Sequence, residues 1–302
     1  MKYYIAGNRG LVGRNYMQFC ADNDIEVVGG NTSTIDYSDK EQTIAELEKH
    51  QPTHVVINAA TNGGLQEDMD RGFELMSLNL IIQNNLFNAA HHCGVERLLL
   101  QGSTCSFPLH NDIIPYTEET LMMGEPHPIY LPTAMPKLMG MYQCRASNER
   151  NGYSWRTAID CNMFGPGDRT GEHAHVIGAL MSKFVHAVRN NESTVEIWGD
   201  GTQSRDFMYI EDAVAAQDII LNNDVHDTVN VASGTEITIA EIAELMIRVS
   251  GFKGSLWYNT DRPSGIKNRP VSNDRLKELG WKPKFSIEDA FAKTYEWYND
   301  NT

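Results

Sequence analysis

The chain has 302 residues, 41% hydrophobic and 22% charged, with a formal net charge of -15 at pH 7. That length supports one large domain or two unequal ones with a full core. The negative balance argues against a nucleic-acid surface but leaves room for a local basic pocket.

No apolar run is long enough to span a bilayer, and Met1-Lys2 leads straight into a strand, which predicts no signal peptide. The cysteines (Cys20, Cys93, Cys105, Cys144 and Cys161) form no C-x-x-C pair. They predict reduced thiols in a cytoplasm and no metal site. In chain order, Tyr3–Ala6 reads as a short strand that runs into Gly7-Asn8-Arg9-Gly10-Leu11-Val12-Gly13. A helix over Leu11–Cys20 follows, marked by Leu11, Val12, Tyr16, Met17 and Cys20. Glycines spaced three apart allow a tight strand-to-helix turn and a close approach of backbone to a pyrophosphate, which the helix N-terminus attracts. The same glycines would also serve a plain tight turn. Next come a strand at Ile25–Val28, a helix at Asp39–His50, a strand at His54–Ala59, a helix at Glu74–Cys93 and a strand at Arg97–Gln101. A helix at Thr133–Asn151 and a strand at Trp155–Ile159 complete this rhythm. Strand–helix alternation with apolar strands predicts a doubly wound parallel sheet of Rossmann type. After Gly165-Pro166-Gly167 the pattern changes to a helix at His175–Arg189, a strand at Val195–Trp198, helices at Tyr209–Asn223 and Ile239–Val249, and a closing helix at Ile287–Tyr298. The expectation is an α/β chain with a dinucleotide-binding domain over residues 1–165 and a smaller mixed α/β substrate lobe over 166–302. The chain is expected to return to the first domain around 205–233, with ligands held between the lobes.

The fourth strand ends Leu100-Gln101-Gly102-Ser103-Thr104-Cys105. A hydroxyl and a thiol at a strand's carboxyl end point into the ligand crevice. On residue type alone, Ser103 and Thr104 could equally cap a turn, and Cys105 could be a small core residue. Lys137 on its helix could be solvated. The second strand runs into Val27-Val28-Gly29-Gly30-Asn31-Thr32-Ser33 without an acid at its tip. NAD-specific folds place an Asp or Glu there, so its absence points to NADP before NAD.

Two further stretches narrow the reading. One is Asn162-Met163-Phe164-Gly165-Pro166-Gly167-Asp168, followed by Glu172-His173-Ala174-His175-Val176-Ile177. The other runs Ile197-Trp198-Gly199-Asp200-Gly201-Thr202-Gln203-Ser204-Arg205-Asp206-Phe207-Met208-Tyr209-Ile210-Glu211-Asp212. With the opening motif they resemble the extended short-chain dehydrogenases that act on nucleotide sugars. Within these the resemblance is to the GDP-L-fucose synthase family, the 3,5-epimerase/4-reductases of GDP-4-keto-6-deoxymannose. It extends through Ala59-Ala60 with Gly63-Gly64, Gly102-Ser103-Thr104-Cys105, Ala179-Leu180 and Leu279-Gly280-Trp281.

The resemblance implies an enzyme with bound NADP and a GDP-sugar substrate. Inverting C3 and C5 beside a 4-keto group requires one group to remove a proton and another to return one. The family's cysteine and histidine map onto Cys105 and His175, whose ordinary pKa values of about 8.5 and about 6.5 straddle neutrality. For reduction at C4 the family uses Ser-Tyr-Lys. Ser103 and Lys137 match, but Thr133 stands where the tyrosine belongs, and Tyr130 lies seven residues before the lysine. Pro132 and the helix start make a rotation of Tyr130 into that place awkward. The family's cofactor positions fall on Gly7, Arg9, Gly10, Leu11, Val12, Gly13, Ala59 and Lys137, with Arg9 meeting the 2′-phosphate of NADP. Its substrate positions fall on Lys183, Trp198, Arg205 and Arg269, with Arg262 in the same loop. Arg205 suits a diphosphate by its guanidinium fork, and Trp198 suits a base or ribose as well as a core. The family also pairs as a homodimer through two long helices, here Glu74–Cys93 and Thr133–Asn151, although their apolar stripes would serve a core as well. Two other readings remain: an epimerase or dehydratase with impaired reduction, because of Thr133, and a non-catalytic nucleotide-binding protein.

Overall fold

The structure is a computed structural model that describes residues 1–61, 69–109, 113–170, 174–262 and 267–302. Gly63-Gly64 and Glu172-His173 of the motifs above lie outside the described residues. The first half runs β1 (Lys2–Ala6), α1 (Leu11–Asp22), β2 (Glu26–Gly30), α2 (Lys40–His50), β3 (His54–Ile57), α3 (Gly72–His92), β4 (Arg97–Gln101), α4 (Leu131–Asn151) and β5 (Ser154–Asp160). The second half runs β6 (Asn162–Phe164), α5 (Val176–Arg189), β7 (Thr194–Trp198), β8 (Ser204–Tyr209), α6 (Ile210–Asn222), β9 (Thr228–Val231), β10 (Glu236–Thr238), α7 (Ile239–Ser250), β11 (Ser255–Asn259), α8 (Asp274–Glu278) and α9 (Ile287–Asn301).

The central sheet has six strands in the order β2-β1-β3-β4-β5-β9, and every pairing is parallel. Its middle strands carry buried apolar runs because both faces are covered. Tyr3, Tyr4, Ile5, Ala6, Val55, Val56, Leu98 and Leu99 are all fully buried. Helices α1 and α6 pack together on one face, and α2 and α3, with α4 beside α3, cover the other. The strand order reverses between β1 and β3, which opens a crevice at their carboxyl ends where a dinucleotide can lie. The remaining strands form a three-stranded sheet, β10-β8-β6, and a two-stranded sheet, β11-β7. Thr238 opens α7 with a capping box closed by Glu241, and Gly251 ends it in the left-handed conformation at φ 68°.

Several elements differ from the sequence expectation. The second strand is Glu26–Gly30 rather than Ile25–Val28, because Gly29 and Gly30 pair with Ile5 and Ala6. Tyr209 closes β8 instead of opening a helix. That strand was hidden because its polar start, Ser204-Arg205-Asp206, breaks the apolar run. His175 caps α5 rather than lying inside it. Helix α4 begins at Leu131, two residues before Thr133, so Tyr130 occupies the cap position. Pro136 inside α4 has no N–H to offer, which removes one bond from the turn that carries Thr133.

Candidate active site

The glycine loop explains itself residue by residue. Gly7 sits at φ +86°, and a Cβ there would lie 2.8 Å from the Ala59 nitrogen. A Cβ on Gly13 would lie 2.1 Å from the Gly7 carbonyl oxygen. Both are demanded by the packing of the turn on α1 and β3. Gly10 differs: its Cβ would meet only the Gly7 oxygen, at an ordinary 3.6 Å. The fold itself therefore has room for a side chain at Gly10, so the space there is open to something outside the chain. Gly10 caps α1 with no side-chain hydrogen bond, and the first turn carries no acid. The leading N–H groups of α1 are thus free for an anion. Across the crevice, both polar atoms of the Asn58 side chain are buried without a partner, a cost of about 1–3 kcal/mol per group unless a ligand meets them. Beyond β2, Asn31 is buried and donates to Asn8 Oδ1 at 2.9 Å, while its own Oδ1 accepts from the Ser33 N–H and hydroxyl. No carboxylate stands at this tip. Arg9 is exposed, with its carbonyl accepting from Arg14. These residues fit a dinucleotide with an extra phosphate on the adenosine ribose.

At the end of β4, Ser103 Oγ accepts from the Cys105 N–H at 3.1 Å. The capping role is therefore real, but the hydroxyl keeps its own proton to donate. Cys105 is half-buried rather than locked in the core. Lys137 is not solvated: its Nζ donates to the carbonyls of Gln101 and Gly102, both at 2.9 Å. Burial lowers its pKa, while Asp160 and Cys105 lie within electrostatic reach and favour its charge. An ammonium has three donors, so one remains for a ligand. Thr133 and Lys137 share a cavity of about 30 Å³ with Asn58, Ala59, Ala60, Asn79 and Gln83. It is large enough to hold water.

His175 Nδ1 faces Asp168 Oδ1 at 3.7 Å, an ion pair when the imidazole is protonated. The histidine is exposed and the aspartate buried, with Asp168 Oδ2 unpartnered. The sequence reading passed over this contact, although Asp168 closes the Gly165-Pro166-Gly167 turn. No hydrogen bond joins His175 to Cys105 among the described residues.

The substrate-side residues fall into two groups. Arg269 is 7% exposed, and its Nε and Nη2 are buried without partners. Its guanidinium sits 5.7 Å from the centre of the Tyr130 ring. Burial and the Arg269 charge press against ionisation of Arg205, which Tyr130, Glu236 and Cys105 favour. Arg205 Nη1 donates to the Ser204 carbonyl, whereas the buried donors of Arg269 are unmet, and two neighbouring guanidinium groups call for an anion. The second group is built on Trp198, which is half exposed, so the core alternative for it fails. Lys183 Nζ and the Arg262 guanidinium lie over its ring at 5.4 and 4.9 Å. Its Nε1 donates to Glu196 Oε2 at 3.0 Å, and Lys183 donates to the Glu196 carbonyl at 2.8 Å. Sequence reasoning missed Asn58, Asp160 and Glu196, none of which belongs to a spaced motif.

A sequence profile of the NAD dependent epimerase/dehydratase family matches residues 3–232. Among curated relatives, a GDP-L-fucose synthase of Sinorhizobium fredii is 33% identical over 302 residues, covering 99% of this chain and 96% of its own. A GDP-L-colitose synthase of Yersinia pseudotuberculosis is 30% identical, covering 99% of this chain and 98% of its own. Among solved structures, a GDP-L-fucose synthetase from Naegleria fowleri bound to NADP superposes with a TM-score of 0.92 at 26% identity, covering 99% of this chain and 93% of that one.

Proposed function

The chain belongs to the NAD dependent epimerase/dehydratase family, and we propose that it is a GDP-sugar epimerase/reductase of the GDP-L-fucose synthase kind. Its substrate in this reading is GDP-4-keto-6-deoxymannose, epimerised at C3 and C5 and reduced at C4 with NADPH. The observation that carries the reading is the Cys105 thiol, within electrostatic reach of both the buried Lys137 and Arg205, whose neighbour Arg269 has unmet buried donors, in a chain whose glycine turn is open at Gly10. Residues 1–165, with the strand that returns at Thr228–Val231, carry the cofactor, and 166–302 carry the sugar nucleotide.

Bound NADPH supplies the hydride for C4. Gly10 and the α1 N-terminus hold its pyrophosphate, Arg9 its 2′-phosphate, and the remaining Lys137 donor its nicotinamide ribose. Arg205 and Arg269 hold the GDP diphosphate, and Trp198, Lys183 and Arg262 shape the nucleoside end. Cys105 and His175 exchange protons at C3 and C5, with Asp168 orienting the imidazole. Ser103 donates to O4. The proton that O4 gains on reduction comes through the Thr133 hydroxyl and water in the cavity it shares with Lys137. Incubation with the keto-sugar and NADPH should give both solvent deuterium in the sugar and a fall in absorbance at 340 nm. Neither signal appearing would end the reading, and deuterium alone would leave an epimerase.

The cofactor preference can be tested separately. Arg9→Ala should reduce the advantage of NADPH over NADH by about tenfold or more, since a charge-assisted bond to the phosphate is lost. Calorimetry showing NADH bound as tightly as NADPH by the unaltered chain would remove Arg9 from this role.

The same reading makes the protein a homodimer. Helices α3 and α4 leave Leu80, Met139 and Tyr142 exposed, lining a groove with Gln83, Asn84, Gln143 and Ala146. A second copy of these helices would cover it. Leu80→Glu with Met139→Glu should convert a dimer to a monomer by sedimentation, and a wild-type monomer would overturn the assignment.

A further inference from the structure

Beneath the Lys137 site lies a carboxylate that none of the motifs accounts for. Asp160 ends β5 and is buried. Its Oδ1 accepts from Gln217 Nε2, a fully buried amide on α6, at 3.0 Å, and its Oδ2 has no hydrogen-bond partner. Ala158, two residues earlier on the strand, pairs with Gln101 of β4 and accepts from the Gly102 N–H at 2.6 Å. Gln101 and Gly102 are the residues whose carbonyls hold Lys137 Nζ. Asp160 is thus built into the same strand ends that grip the lysine.

We propose that Asp160 is a positioning residue for the reductive chemistry, a buried counter-charge that keeps the Lys137 ammonium protonated and pointed at the cofactor ribose. This rests on the function proposed above. A buried lysine drifts toward its neutral form, because desolvation penalises the ammonium. A carboxylate held in the same dry region opposes that drift. Burial pushes the Asp160 carboxyl up to about 7, with Gln217 and Lys137 pulling the other way. The other ionisable groups near the pair are Cys105, within reach of Lys137, and Cys161, within reach of Asp160 and hydrogen-bonded to Asp206. Burial pushes the Cys161 thiol well up and raises Asp206, so Cys161 stays neutral and adds no charge against the pair.

The sign of the effect follows. Removing the carboxylate leaves burial unopposed, so Lys137 loses its proton at a lower pH. NADPH affinity, read by fluorescence titration, and NADPH oxidation with the keto-sugar should be followed from about pH 6 to about pH 10. Asp160→Asn should weaken NADPH binding about tenfold near pH 9 and less than about twofold near pH 6, moving the alkaline limb of both profiles downward. Gln217→Met removes the hydrogen bond to the carboxylate and should move both limbs the same way by less. Superimposable profiles for the wild type and Asp160→Asn would overturn the proposal. Should Asp160→Asn not fold, an unmoved limb in Gln217→Met would do the same. If affinity shifts as expected but no sugar is reduced, the proposed reaction fails while the role of Asp160 stands.

Discussion

Cys105→Ser should slow the wash-in of solvent deuterium at C3 and C5 by about two to four orders of magnitude, the usual contribution of a positioned acid or base. A serine hydroxyl is a far weaker acid than a thiol, so the variant keeps the shape of the site and loses its proton transfer. The thiol is well placed for proton exchange, half-buried at the end of β4 with Lys137 and Arg205 as the nearby cations. Those charges favour the enolate oxygen that forms when C3 or C5 loses a proton. His175→Asn should show a comparable loss, because in the proposed mechanism the imidazole facing Asp168 is the second proton carrier. GDP-sugar and NADPH binding should stay within about twofold of the wild type in both variants, since the diphosphate and pyrophosphate contacts lie on other residues. Mass spectrometry of the recovered sugar, with calorimetry alongside, reads both quantities. Unchanged exchange in the two variants would take Cys105 and His175 out of the mechanism.

Much of this arrangement was legible in the residues, and the limits have physical causes. The parallel sheet could be read because β1, β3 and β4 are buried on both faces and so carry consecutive apolar residues, Tyr3–Ala6, Val55–Ile57 and Leu98–Leu100. Strands β6, β8 and β10 escaped because they form a small sheet whose members begin with polar side chains that hydrogen-bond locally. Ser204 donates to Glu236, for example, and Asp206 accepts from the Ser233 and Gly234 N–H groups. Spacing marked the glycine turn, but Ser103, Cys105 and Lys137 were singled out only through the family resemblance, since a hydroxyl, a thiol or a helical lysine alone also fits a cap, a core or solvent. Spacing could not identify Asp160 or Asn58, since nothing local marks a buried polar group whose partner comes from a distant strand or from a ligand. The role of Tyr130 was the least legible. A rotamer and a helix start separate two opposite outcomes, and the sequence contains neither.

Thr133→Tyr is expected to raise NADPH oxidation by about a hundredfold, by returning a phenol to the turn of α4 one turn before Lys137. A threonine hydroxyl is too weak an acid to protonate O4 without help, so the wild type must pass the proton through water and Lys137. That is the slow step expected of it. The cavity of about 30 Å³ at Thr133 gives part of the needed room, and Ala59 and Ala60 on its wall are small. Tyr130 offers no replacement in the structure. Its ring lies under the Arg269 guanidinium, and its hydroxyl is within electrostatic reach of Arg205. In the proposed function those residues hold the diphosphate, which puts Tyr130 on the substrate-binding side of that reading. Tyr130→Phe should therefore raise KM for the GDP-sugar several-fold, about 1 kcal/mol for one neutral hydrogen bond, with kcat nearly unchanged. Stopped-flow absorbance at 340 nm with saturating sugar separates the two residues. If Tyr130→Phe abolishes oxidation at saturation while exchange persists, and Thr133→Tyr gains nothing, then Tyr130 is the proton donor and the missing phenol at Thr133 has no part in the rate.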